Sequence, residues 1–510
     1  MELIEGLAQG FIHVFQPFDL LMLLVGLMIG MAVSIMPGLG MVMGVVLALP
    51  FTYRMSIEPS IILLTAIYFA GTYGGCFTTI LYRIPGEPMD VPLLWDGYAM
   101  GRKIGPAKPL GWALIAALIG GLVSSIVMVL LAKPLSDLAT RFGPEDYFAA
   151  IFFGLTTIVA LAGRSLTNAL ISLSVGLLVA CVGVDSIYGA DRFTFGLPIL
   201  GGGVQLVAVL VGMYGLGEVF KRLGQGLALA GRDEPTAEVA TKFPSFRELL
   251  NIRGTILRSS LVGTLLGVVP GAGATITSFI CYGLEKQYGR RRAQLGSGLP
   301  EGIVAPQIGS TASVAGHLIP MLALGIPGSA ASAVILAAFL LHGLQPGPLL
   351  FADPSSRPVV FTIFSAMFVC VVGMCLIGFF WIRVVVKVLT IPQGILSAIV
   401  VLFCLVGAYA GRNDLSDVWL IVVFGVLGYL FERFGFPVSP VVLGAILGPI
   451  GEDAFMRSMI ENHNDWTCFF RHPISATLMV VSLLSLAYPL ARNLAGFRRR
   501  RKIPTPVQSV

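Results

Sequence analysis

The sequence predicts an all-α polytopic membrane protein made of two inverted repeats with broken helices or re-entrant hairpins, with about 10–12 membrane-spanning segments. Three observations predict it. Of 510 residues, 56% are hydrophobic and 12% charged, with a mean hydropathy of +0.88; soluble domains carry roughly twice that charged fraction. Apolar runs near the ~20 residues that cross a bilayer as a helix recur along the chain. One short word is also used twice: Ile35-Met-Pro-Gly-Leu-Gly40 is answered by Val268-Val-Pro-Gly-Ala-Gly273, each inside an apolar run. Proline removes a backbone donor and glycine relaxes the chain, so each word breaks a helix in two. Within lipid such a break is tolerated only where protein or a wet cavity satisfies the freed backbone. A Pro-Gly pair can also kink a purely structural helix; its recurrence in both halves favours the walls of a binding site.

Taken in order, the first half reads as 19–36, the Pro37 break, 38–53, a run over 59–82, a polar loop over 83–108, and helices near 110–132, 145–162, 166–184 and 197–217. The second half repeats the plan with 254–270, the Pro270 break, 271–284, a basic loop, a run over 302–325 and a Gly/Pro-punctuated stretch over 328–350. Helices near 358–382, 392–409, 415–431, 437–449 and 473–491 follow. The expected domains are a first membrane repeat at 1–217, a cytoplasmic linker at 218–253, a second repeat at 254–491 and a basic cytoplasmic tail at 492–510. Beyond the two breaks, Ile84-Pro85-Gly86 pairs with Ile326-Pro327-Gly328, Asp96-Gly97 with His342-Gly343, and Ala162-Gly163-Arg164 with Ala410-Gly411-Arg412. The separations grow in order, from 233 at the breaks to 242 at Ile-Pro-Gly, as a duplicated unit with small insertions requires.

Charge sets the orientation. With the N-terminus outside, most of the 33 Lys and Arg fall on inner loops, leaving outside those at 54, 133, 141, 192, 357, 412, 457 and 471; the positive-inside rule then makes the N-terminus periplasmic and the C-terminus cytoplasmic. Arg498-Arg-Arg-Arg-Lys502 reads as an anchor to the anionic surface of the lipid bilayer. Nothing argues for nucleic acid, and the seven cysteines lack metal-ligand spacing. The N-terminus lacks a positive n-region and a cleavage site, so the first apolar run should stay in the mature protein. No phosphate loop, His-Glu-x-x-His or Gly-x-Ser-x-Gly motif is present, so no enzyme is expected and the energy should come from an ion gradient.

At each break a new helix starts, and its first N–H groups can hold a carboxylate without a buried cation. The candidate substrate site is Pro37, Gly38, Leu39 and Gly40 with Pro270, Gly271, Ala272 and Gly273; Pro85, Gly86, Pro327, Gly328 and Ser329 add two further breaks, and Gly74 and Gly75 a glycine-rich segment. Oxygen ligands for a coupling cation such as Na⁺ are sought at Thr275, Thr277, Ser278, Gln307, Ser310, Thr311 and Ser313; the same hydroxyls can instead bond their own helix backbone. Glu285 and Glu301 read as interfacial, and His317 and His342 as structural.

Pro37-Gly-Leu-Gly40, Tyr73-Gly-Gly75, Ile84-Pro-Gly86, Asp96-Gly-Tyr98, Val269-Pro-Gly-Ala-Gly273, Glu301-Gly302, Leu324-Gly-Ile-Pro-Gly-Ser329, His342-Gly343 and Pro346-Gly-Pro348 together resemble the large membrane subunit of the tripartite tricarboxylate transporters, the TctA family. The resemblance implies a bacterial inner-membrane permease importing a small di- or tricarboxylate with Na⁺ or H⁺ by an elevator-type movement. It implies as partners a small membrane subunit (TctB-like) and a periplasmic solute-binding protein (TctC-like), no organic cofactor, and leaves a homodimer open. The chain departs from the family pattern at Gln307, Ser310 and Thr311, where Glu, Asn and Asn are usual, and at Cys76, where serine is usual. A passive channel lined by the same breaks is the alternative reading.

Overall fold

Two helices of this apolar chain are buried by protein along almost their whole length. The computed structural model describes residues 2–36, 39–139, 141–161, 165–185, 189–225, 242–347, 350–351, 353, 356–388, 393–412 and 414–500. Among them the fold is almost wholly helical, the one exception being the antiparallel pair Gly183–Val184 and Asp191–Arg192. Among the described residues, six helices are long and apolar enough to cross a membrane: Pro17–Ile35, Ile57–Tyr82, Ala107–Leu131, Arg357–Trp381, Leu415–Arg433 and Val438–Glu461. Shorter apolar helices include Gly40–Arg54, Leu166–Ala180, Ala330–Leu341 and Pro473–Ala487.

By packing, the chain forms two compact units, Met1–Arg141 with Val204–Phe434, and Phe142–Gly203 with Gly435–Val510. Each draws on both halves of the sequence, so this division runs across the expected repeats rather than between them.

The larger unit is organised around Ile57–Gly74 and Pro300–Leu324, buried from Pro59 to Gly74 and from Glu301 to Ala323. Helices that are apolar on every side belong inside other helices. Pro17–Ile35 packs along the first and Arg253–Val268 along the second, and small residues bring the backbones together. The approaches repeat with the sequence separations noted above. A Cβ on Gly30 would meet Ile67 and Ala70, and one on Gly263 would meet Gly309 and Ala312. Added to Gly74 it would lie 2.6 Å from Met31 O, and added to Gly316, 2.6 Å from Thr264 O. Pro300–Leu324 stops at Gly325, in the left-handed region at φ +72, whose N–H returns to Met321 O.

The start of each buried helix is held by the other half of the sequence. Asp96, fully buried, accepts the N–H groups of Gly296, Gly298 and Leu299 at 2.8–2.9 Å just ahead of Pro300. Reciprocally, a ring nitrogen of His342 lies 3.2 Å from Met55 O and 3.4 Å from Ser60 Oγ at the start of Ile57–Gly74. The residues paired by sequence as Asp96 and His342 thus do equivalent work, one on donors and one on an acceptor.

In the smaller unit, Gly176 packs on the Val441 backbone and Gly444 on that of Leu173. Buried Asp146 takes the Ser475 N–H at 2.8 Å and lies 3.0 Å from His472 Nδ1. Phe148, Phe455 and Phe469 stack beside them.

Candidate functional site

Both Pro-Gly words break their helices as expected, and in both the helix resumes at the second glycine, Gly40 (φ +67) and Gly273 (φ +61). Pro37 and Gly38 themselves lie outside the described residues, as does the Gly163-Arg164 pair. Each break is closed by the Ile-Pro-Gly element of its own half. In the second half Gly271 N–H donates to Gly328 O at 3.0 Å, and Gly328 lies against His317. In the first, a Cβ on Gly86 would lie 2.4 Å from Gly75 Cα and 2.6 Å from Ser34 O. Gly75 and His317 occupy matching positions, 242 residues apart like the two Ile-Pro-Gly elements.

The first break differs from the second in carrying charge. Glu87, directly after Gly86, reaches back so that Oε1 accepts Ser34 Oγ at 2.9 Å and the Met41 N–H at 2.5 Å. The positive end of the new helix is thereby spent on the chain's own carboxylate. Glu87 N–H in turn donates to Asp90 Oδ2 at 2.9 Å. The matching residues are Ser329 and Ser332, and there Ser329 N–H donates to Ser332 Oγ at 2.8 Å. The turn therefore needs an acceptor three residues on, and a hydroxyl suffices. Asp90 is 1% exposed, and a Cβ on Gly75 would lie 1.8 Å from its Oδ2, so glycine is what lets the carboxylate sit there. Among the described residues, neither carboxylate has a Lys, Arg or His in ion-pair distance.

Next to this pair the two buried helices are joined by polar side chains. Gln307 Nε2 donates to Thr72 O at 2.9 Å and Thr311 Oγ1 at 3.2 Å, and its Oε1 accepts Cys76 Sγ at 2.7 Å. Thr72 and Thr311 hydroxyls are 3.1 Å apart. Three of the positions at which this sequence departs from the family pattern, Cys76, Gln307 and Thr311, are thus one hydrogen-bonded set. Further along the same helices, Tyr68 Oη lies 2.6 Å from His317 Nδ1 and 2.7 Å from Ser329 Oγ. His317 is fully buried, and among the described residues its Nε2 has no hydrogen-bond partner.

Other candidates are placed as follows. Leu39, Gly271 and Ala272 N–H groups bond to Met36 O, Gly328 O and Val269 O. Ser278 Oγ donates across to Met89 O at 2.7 Å, tying the second break to the Glu87 turn. Thr277, Ser310 and Ser313 each donate to a carbonyl three or four residues back, at Gly273, Gln307 and Ser310; their lone pairs stay open to a cation. Thr275 is half-buried. Glu285 and Glu301, read as interfacial, are buried and paired with Arg258 and Arg291. Sequence reasoning missed Glu87 and Asp90 because 83–108 reads as a polar loop, and Tyr68 because it sits inside the apolar run over 59–82; the one available signal was that Glu87 and Asp90 align with Ser329 and Ser332.

A family model described as "Tripartite tricarboxylate transporter TctA family" matches residues 20–443. The chain belongs to the TctA family. Over 504 residues, 98% of both chains, it is 34% identical to an uncharacterized 52.8 kDa protein in the TAR-I ttuC' 3' region of Agrobacterium vitis. It is 35% identical over 237 residues, 46% of this chain and 97% of the other, to an uncharacterized protein in the TAR-II ttuC' 3' region of the same organism. No solved structure matches it. TctA proteins are the large membrane components of tripartite transporters, so the breaks, the apolar spans and the buried polar set described above belong to a transport protein.

Proposed function

We propose that this TctA chain is the permease of a binding-protein-dependent secondary transporter that imports a small di- or tricarboxylate across the bacterial inner membrane, coupled to Na⁺ or H⁺. The observation that carries the reading is the pair of breaks, each closed by Ile-Pro-Gly, one of them lined by two buried carboxylates without a cationic partner. Two charges cannot stay buried side by side unless a proton or cation joins them. Glu87 and Asp90 are therefore the coupling groups, with the oxygens of Thr72, Thr277, Ser310, Thr311 and Ser313 as further ligands if the ion is Na⁺. The second break, which holds no carboxylate among the described residues, suits the anionic substrate: the helix starts at Gly273 and Ala330 offer N–H donors without repulsion.

The matching glycine contacts and the reciprocal Asp96 and His342 clamps support two repeats related by inversion, and hence alternating access by movement of the buried helices, elevator-type. The partners are a TctB-like small membrane subunit and a TctC-like periplasmic binding protein. The test is uptake of a panel of labelled di- and tricarboxylates into proteoliposomes holding all three proteins, with and without an inward Na⁺ or H⁺ gradient. Saturable uptake needing both gradient and binding protein is expected; non-saturating flux indifferent to the gradient would mean a channel. Cysteines at Arg54 and Arg290 should label from opposite sides, and same-side labelling removes the inverted arrangement.

A further inference from the structure

On the face of the larger unit where residues 94–103 lie beside the helix Gly273–Tyr288 there is a concavity of about 860 Å³. Its lining includes Arg83, Arg102, Lys103 and Lys286 and no carboxylate. The Arg83 guanidinium is 5.6 Å from the Tyr98 ring centroid, and Lys103 Nζ donates to Ser297 O at 2.6 Å. These contacts orient the two cations and leave their charge whole; none of the four forms an ion pair among the described residues. A neighbouring concavity differs in that carboxylates, Glu285 and Glu301, share its lining with Arg253, Arg258 and Arg290, and Arg258 is paired there with Glu285.

Four unpaired positive charges around one space repel one another and give it a positive potential that attracts an anion. Two guanidiniums and two ammoniums match the several oxygens of a phosphate. The remaining wall is aromatic: Trp95 and Phe279 are 42% and 40% exposed, with ring centroids 6.1 Å apart. A soluble ion has no use for that wall, whereas the glycerol and upper acyl carbons of a lipid do, and aromatic rings are enriched where membrane proteins meet headgroups. We propose that this concavity binds a phosphodiester, supplied by the headgroup of an anionic phospholipid. Basic hollows between membrane helices on the cytoplasmic side take such headgroups. Through Arg83 the site adjoins the Ile84-Pro85-Gly86 element, and the proposal does not depend on the transport reading.

Trp95 reports on it. The full chain is reconstituted in vesicles containing equal mole fractions of brominated phosphatidylglycerol or brominated phosphatidylcholine, and the Trp95 contribution is isolated by difference with Trp95→Phe. The expected result is much stronger quenching of Trp95 by the anionic lipid, with the preference falling about tenfold or more in Arg102→Gln/Lys286→Gln. Should the double variant fail to fold, competition on the wild-type chain decides. Equal quenching by both lipids overturns the proposal; a Trp95 response to inorganic phosphate would then mark a soluble-phosphate site, and no response no phosphate site at all. Reversal of the quenching by a tricarboxylate at lower concentration than by phosphate also overturns it, making the concavity part of the substrate path.

Discussion

Replacing Asp90 by serine should uncouple transport while leaving the fold in place. The second half of the chain supplies the precedent, since Ser332 Oγ takes the Ser329 N–H at 2.8 Å where Asp90 Oδ2 takes that of Glu87 at 2.9 Å. The exchange trades a charge-assisted hydrogen bond, worth about 1.5–3 kcal/mol, for a neutral one worth about 0.5–1.5 kcal/mol. The loss of about 1–2 kcal/mol is offset by no longer burying a second carboxylate beside Glu87. Stability in detergent should therefore change by about 1 kcal/mol or less. The functional change is larger. A tenfold gradient of one monovalent ion supplies about 1.4 kcal/mol, enough for tenfold accumulation of substrate per ion coupled; without the ion the ratio falls to that set by the remaining driving forces. The assay compares gradient-driven accumulation with substrate counterflow in proteoliposomes. Asp90→Ser and Glu87→Gln should lose the first and keep the second. Accumulation at the wild-type ratio in both variants would refute the coupling role, and loss of counterflow as well would place the pair in substrate binding instead.

Gln307→Glu, which restores the usual family acid, should destabilise the chain by about 2–4 kcal/mol, because a carboxylate would face the Thr72 carbonyl now 2.9 Å from Nε2; adding Cys76→Ser and Thr311→Asn should recover part of that, read as the melting temperature in detergent. Gly86→Ala forces a methyl to within 2.4 Å of Gly75 Cα and should cost about 1–3 kcal/mol and most uptake, whereas Gly254→Ala, with nothing within 4 Å, should change neither. At the membrane surface, Glu248 is held below its ordinary carboxylate range by the Lys108 ammonium and then by the Ser245 N–H. Its carboxyl is about one-third exposed, so the contact is worth a few tenths of a kcal/mol. A depressed folded value means that this stabilisation is complete above the ordinary value of 4.5 and lost as pH falls through the lower one. Proteolytic protection of 242–252 should drop over that acid range in wild type and be pH-independent there in Glu248→Gln.

The class of fold was legible because hydropathy and two repeated words do not depend on tertiary contact: the helices resume at Gly40 and Gly273, and the two runs over 59–82 and 302–325 are the two buried helices. The candidate site was legible in its backbone and hidden in its charges. A segment with Glu87, Asp90 and Asp96 after a Pro-Gly reads as solvated because carboxylates are ordinarily exposed. Their burial depends on donors far away in sequence, Met41 and Ser34 for Glu87 and Gly296 to Leu299 for Asp96. No local pattern records such partners.

The two halves share one frame and differ in the side chains set on it. Where the halves match, at Gly30 and Gly263 or Gly74 and Gly316, the contacts set how closely helices approach, and both copies need the same small residue. Where they differ, the residue carries chemistry: Glu87 and Asp90 against Ser329 and Ser332, Gly75 against His317. A turn that folds equally well on two hydroxyls has no structural need for two carboxylates. In the proposed function, their presence in one half only makes the first break the one that takes a cation or proton and the second the one that takes an anion. On the proposed function, moving an ion and a carboxylate together requires sites of opposite preference in one buried frame, and the exchange of two side chains within a shared turn would supply them.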